Sequence, residues 1–249
     1  MRELFLEMIE LMDSALQDYV GALPPPAKVN IGPGWVYRFE NKDIHHAVVL
    51  KLVFVLSSLR AAMTLLDHGY VCQQAALHRL IDEANEDILF LVYAVTNDKI
   101  TDLHQRYLGA FWAEEFADHS DLTGSHESRP MIPRKKIRAY LAQIEGHPMD
   151  VSRASTLAKV MSKTYSGFVH GAAPHIMELY GGNPGRFHTN GMVGTPRIEE
   201  YANDLWNYLY RGLLSLIFAA KMFGSQEHVD LLVTRKKQFE QAMGKDYGP

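Results

Sequence analysis

Leu77, Ile81, Ala84, Ile88, Leu91 and Val95 recur at alternating steps of four and three, and no other pattern constrains the fold of this chain as much. Such steps put all six side chains on one side of an α-helix, the seam by which helices pack in a bundle. The helix they predict runs from about Tyr70 to Thr96. With the seam at zero and roughly 100° per residue, Asp82, Glu83, Glu86 and Asp87 fall at roughly 140° to 280°, on the opposite face. Phe90 and Tyr93 continue that far face. The second half of the helix is therefore apolar all round and should be covered on both sides, with the acids bordering a buried layer. Spacing of i and i+4 offers Arg79–Glu83 and His78–Asp82 as ion pairs within the helix.

The rest of the chain reads as further helices between strong stops. Residues 2–21 are ended by Gly21 and Pro24-Pro25-Pro26, and a second helix over 42–67 takes Asn41 as N-cap and Gly69 as its stop. Asn97 caps a fourth helix to about Phe116, the polar stretch 118–133 reads as a mobile loop, and Arg134 to Ile144 form a short fifth helix. A sixth helix over 150–170 is ended by Gly171 and Pro174. Thr195-Pro196 opens a seventh with a threonine N-cap, and Gly224-Ser225 separate it from a last helix to about Met243.

Two stretches break this rhythm. Residues 22–40 read as an irregular arm in which Gly32-Pro33-Gly34 forces a turn, and Trp35, Tyr37 and Phe39 alternate as in an extended strand without implying a sheet. Residues 180–194, YGGNPGRFHTNGMVG, carry Asn190-Gly191, the signal for a two-residue hairpin turn. The expectation is an all-α fold: a compact bundle of about eight helices with a small Gly-rich hairpin insertion, one domain over residues 1–249.

Composition narrows function mainly by exclusion. Apolar residues make up 47% and charged residues 22%, which is a folding rather than a disordered composition. A formal net charge of −4 gives no global attraction to nucleic acid or anionic lipid, so such binding needs a local basic patch. Arg134, Lys135, Lys136 and Arg138 form one such run and Arg235, Lys236 and Lys237 another, both read as solvated helix faces. Cys72, the single cysteine, closes no intramolecular disulfide, and a reducing, cytoplasmic setting is expected. Acids every few residues in MRELFLEMIELMDS leave no uninterrupted apolar stretch for a secretion signal. The longest apolar stretch, Ala47 to Leu66, is interrupted by Lys51 and Arg60, so no membrane span is expected. Neither Glu-x-x-His spacing nor a compact Cys/His cluster occurs, so neither metal nor cofactor is expected.

Two constellations carry candidate chemistry. In KTYSGFVHGAAPH, residues 163–175, His170 sits at a helix C-terminus whose dipole favours imidazolium, with Gly171 permitting close approach. Ser166 lies one turn before it, but no third group or strained elbow completes a hydrolase. Arg186 and His188 in the Gly-rich insertion, with Arg197 at the start of the seventh helix, form a candidate anion site; a lid or packing hairpin is the alternative.

Taken together, Arg79-Leu-Ile-Asp-Glu83 and Tyr165-Ser-Gly-Phe-Val-His170-Gly171 resemble two motifs of a widespread bacterial family of helical proteins of unknown function. That family is similar to the HEPN superfamily (higher eukaryotes and prokaryotes nucleotide-binding), whose active members are metal-independent ribonucleases of toxin and phage-defence systems. The resemblance implies His170 as general acid/base and Arg79, Glu83 and His170 converging on one polar pocket. HEPN nucleases carry an Arg a few residues before the histidine; here Lys163, Thr164 and Tyr165 stand there, and only Lys163 supplies positive charge. Three readings stay open: RNA cleavage or nucleotide binding in a stress or defence system; a non-catalytic module for a protein partner or a second copy of itself; and a small-molecule binder with the insertion as lid.

Overall fold

A computed structural model describes residues 2–31, 34–116, 121, 123–124, 130–144, 160 and 163–244. The order is α1 (Arg2–Gly21), β1 (Ala27–Ile31), β2 (Gly34–Arg38), α2 (Ile44–Asp67), α3 (Val71–Thr96), α4 (Asp102–Phe111) and α5 (Arg134–Ile144). Then come α6, described over 163–169, α7 (Ala173–Ile176), a 3-10 turn (Met177–Leu179), β3 (Tyr180–Gly181), β4 (Arg186–Phe187), α8 (Arg197–Met222) and α9 (Gln226–Ala242). The protein is a mostly helical bundle in which α3 packs against α2 and α8, with α1 on α2 and α8, α9 on α8 and α1, and α5 on α3.

The seam of α3 is the core as expected: Ile81, Ile88 and Leu91 are fully buried, and Ala84 nearly so. Burying each of the three large residues stabilises the bundle by about 1.5–3 kcal/mol, and a truncation such as Ile88→Ala would cost about 2–5 kcal/mol once the cavity is included. Trp206 of α8 is closed off between the stacked rings of Tyr210 at 5.1 Å and Phe239 of α9 at 5.6 Å.

Local chemistry moves several boundaries. The N-cap of α2 is Asp43, whose carboxylate accepts the His46 N–H at 3.0 Å, and not Asn41. Asn97 closes α3 instead of opening α4; Asp98 turns the chain with φ 47°, and Thr101 caps α4 in a box completed by the His104 ring. The arm is a two-stranded antiparallel hairpin, with Ala27 opposite Arg38 and Ile31 opposite Gly34. The insertion also forms a hairpin, but it pairs Tyr180 with Phe187 and Gly181 with Arg186, upstream of Asn190-Gly191. Thr195 does not cap α8: Pro196 is the N-cap, and the Thr195 hydroxyl donates to the Met192 carbonyl at 2.7 Å. Most of the polar loop 118–133 and the first half of the expected sixth helix lie outside the described residues.

Asn190-Gly191 serves a different contact. Gly191, at φ 93°, lies so close to the corner between α2 and α3 that a Cβ there would stand 2.0 Å from the His68 carbonyl oxygen. On the other side Gly69, at φ 76°, would drive a Cβ to 2.4 Å from the Met192 nitrogen, whose N–H donates to the Gly69 carbonyl at 2.9 Å. Only glycine combines positive φ with that approach.

Among the described residues α2 alone is long and apolar enough to cross a membrane, with a mean hydropathy of 1.9 over its most apolar window, half of it buried. Its buried half packs against α1, α3 and α8, while Val53 and Phe54 are exposed.

Candidate functional site

The acids of α3 are spoken for by other elements. Glu86 meets Arg134 and, at 2.8 Å, Arg138; Asp87 meets Arg134 and, at 2.7 Å, Lys51 of α2; Asp82 meets Arg211 of α8. Arg134 also donates to the Glu83 carbonyl at 3.0 Å. Burial opposes the Arg134 charge, but Asp87 and Glu86 outweigh it and hold the guanidinium above its ordinary value. Asp82 goes the other way: burial raises its carboxyl pKa against the pull of Arg211. The basic run opening α5 is therefore not a solvated face as a whole, because Arg134 and Arg138 turn inward beside Ile137 and Leu141. In the second run Lys236 likewise pairs with Glu240, at 3.1 Å.

A second polar cluster joins α3, α6 and α8. The ring of His78 stacks on Tyr208 at 4.1 Å and meets the edge of Tyr165, from α6, at 5.8 Å. It does not pair with Asp82; its Nε2 lies 3.4 Å from the Gln74 amide, and its Nδ1 has no partner among the described residues. Burial pushes His78 down to about 3, so the imidazole is neutral at ordinary pH and closed to proton exchange with a ligand. The Tyr165 hydroxyl donates to Asp204 at 2.7 Å, and burial followed by that carboxylate holds the phenol protonated. The sequence assigns no role to Asp204 and Arg211, whose signal is polar side chains set among the aromatic residues of a helix expected to be buried, and names Tyr165 only as part of the His170 motif.

Each candidate residue has a definite place. Arg79 pairs with Glu83 as the spacing required, the two side chains 16% and 33% exposed. His170 is exposed at the end of α6, its N–H bonded to the Ser166 carbonyl at 3.3 Å, just before Gly171 at φ 62°. Lys163 is exposed one end of α6 away. Of the anion set, Arg197 is taken by Glu178 at 3.1 Å and Glu200 at 2.8 Å, His188 lies with Nε2 3.2 Å from the Gly181 carbonyl, and Arg186 is exposed on β4. Lys163, His170 and Arg186 make no ion pair among the described residues, whereas Arg79 and Arg197 are engaged. Cys72 is half-buried, and burial, with Glu178 adding, pushes its thiol up to about 11, which makes it a poor nucleophile. No group of three or more His, Cys, Asp or Glu side chains gathers as a metal site among the described residues.

Helical geometry orders α6 itself. Residues 163 and 170 are separated by roughly 20° around the axis and about 10 Å along it, with Ser166 on the same side, while Tyr165 and Phe168 point the other way. The contacts agree: Tyr165 reaches Tyr208 and Phe168 reaches His175 and Tyr201. Lys163, Ser166 and His170 thus share the outer face of a helix whose inner face is anchored. Comparison of the chain with known protein families, with curated proteins and with solved structures finds no match in any of the three.

Proposed function

We propose that the outer face of α6 is an RNA- or nucleotide-phosphate-binding face of a HEPN-like helical protein, and that it cleaves RNA without a metal in a bacterial stress or defence setting. His170 acts as general acid/base and Lys163 contacts phosphate, while Arg79, committed to Glu83, orders the neighbouring helix instead of touching substrate. The observation that carries this reading is the junction of the two motif-bearing helices: His78, beside Arg79, meets Tyr165, which lies five residues before His170. That packing leaves Lys163 and His170 on the solvent side.

The test is incubation of single-stranded RNA with wild-type protein in EDTA, beside His170→Gln and Lys163→Glu. Positioned proton transfer contributes roughly a hundred- to ten-thousand-fold, so cleavage should be lost in His170→Gln while RNA binding persists, and Lys163→Glu should weaken binding. Wild type that neither binds nor cleaves RNA removes the reading.

One observation favours a second reading, a non-catalytic protein-interaction module. Val169, Ile176, Met177, Tyr180, Phe187 and Val193 are all exposed between residues 169 and 193, and the Tyr180 and Phe187 rings meet at 5.1 Å. The lid reading is weakened, because backbone contacts at Gly69 and Gly191 fasten the end of the insertion to the bundle.

A further inference from the structure

Away from α6, the first hairpin leans on the end of α4. Arg38 of β2 grips Glu114 with two parallel bonds, Nε at 2.6 Å and Nη2 at 3.0 Å, and between the strand and the helix end lies a cleft of about 360 Å³. Its walls are aromatic, with Tyr37 and Phe39 on the hairpin side and Phe111 and Trp112 on the helix side, over Leu50 of α2. The Phe111 and Trp112 rings stand nearly perpendicular, 4.9 Å apart. That volume lies in the range of small-molecule sites, which are apolar enclosures with a few polar groups to fix orientation.

The charge at this cleft is one-sided. The Arg38 guanidinium is cancelled by Glu114, and Asp43 is engaged as the N-cap of α2. Lys42, exposed on the cleft rim, has no acidic partner among the described residues. One uncompensated ammonium beside four rings is complementary to a flat ring system that carries a negative group: the ring fills the aromatic space and the anion meets the lysine.

We propose that this cleft binds a planar aromatic anion, with Phe39, Phe111 and Trp112 enclosing the ring and Lys42 meeting the charge. The site is separate from the α6 face and stands or falls without it. An aromatic carboxylic acid and a nucleoside monophosphate both present that chemistry, and the test separates them. Full-length wild-type protein is titrated calorimetrically with 2-naphthoate, with the neutral 2-naphthamide and with adenosine monophosphate, and the titrations are repeated on Lys42→Glu and on Lys28→Glu. Lys28, whose Nζ lies 4.0 Å over the Trp35 ring and which does not line the cleft, is the charge control. The expected result is binding of naphthoate that weakens at least roughly tenfold for the amide and for Lys42→Glu, as loss of a charge-assisted contact should, and stays unchanged for Lys28→Glu. Displacement of naphthoate by adenosine monophosphate identifies a nucleotide site; binding of naphthoate without displacement identifies an organic-acid site. No heat with either anion, equal binding of the amide, or indifference to Lys42→Glu overturns the proposal.

Discussion

Around the middle of α3, Glu86 and Asp87 each meet two cations from other elements, whereas along the outer face of α6 Lys163 and His170 are exposed and pair with no acid among the described residues. The side-chain types are similar and their use is opposite. A charge taken out of water costs several kcal/mol unless it is paired and hydrogen-bonded, so the α3 charges must be matched before the fold closes and none is free for a ligand. The exposed Lys163 charge keeps its hydration and contributes little to folding. In this molecule, buried charge marks where the bundle is locked, and unmatched exposed charge on a well-anchored helix marks where function should be sought.

The comparison breaks first at Glu86. Glu86→Ala strands Arg138, itself only 8% exposed, and should lower stability by about 3–5 kcal/mol, read as a fall in the urea midpoint. An unmoved midpoint would mean that the α3 layer behaves like a surface. His78 sharpens the contrast through pH. Its folded pKa, about 3, lies below the ordinary 6.5, so between these values the unfolded chain binds the extra proton and stability falls as pH falls, by up to about 1.4 kcal/mol per unit. His104, also lowered by burial, adds in the same direction, so the contribution of His78 is the part of the slope that disappears in His78→Phe. Glu83→Ala, removing a partly exposed helix pair, should cost about 0.5 kcal/mol, and a loss near that of Glu86 would place this pair inside the buried layer too. Smallest of all, His170→Gln and Lys163→Glu should each melt within about 0.5 kcal/mol of wild type. A larger drop in either would show that α6 spends these residues on the fold.

Much of this was legible in the sequence. The α3 seam, the stops at Gly21, Gly69, Gly171 and Gly224, and the Arg79–Glu83 pair all follow from local spacing. What escaped was pairing at a distance. Arg134 and Glu86 are 48 positions apart, and nothing in a basic run says which members turn inward except that Arg134, Ile137, Arg138 and Leu141 share one helical face. The arm hid its first strand because Ala27–Ile31 carries no buried alternation; its order comes from pairing with Gly34–Arg38, not from a hydrophobic face. His78 went to Tyr208 and not to Asp82 because a neighbouring helix offered a ring and a guanidinium that i, i+4 arithmetic cannot see. At the candidate site the motifs named Arg79 and His170, but which cations remain free depended on acids elsewhere, such as Glu178 and Glu200 beside Arg197.

The meeting of Gly69 and Gly191 bears on how this chain can change over time. The contact closes a loop of about 120 residues through backbone atoms alone, a closure whose entropy depends only weakly on the length enclosed. Changes of length in the exposed connections within that loop therefore add little to the cost of closing the clasp. A side chain at either end is not, because each glycine faces the other segment's main chain, which cannot rotate aside as a side chain would. Two positions that contribute no chemistry of their own thus impose a requirement that no other residue type meets, and a diverged relative would keep that pair after its surface had become unrecognisable.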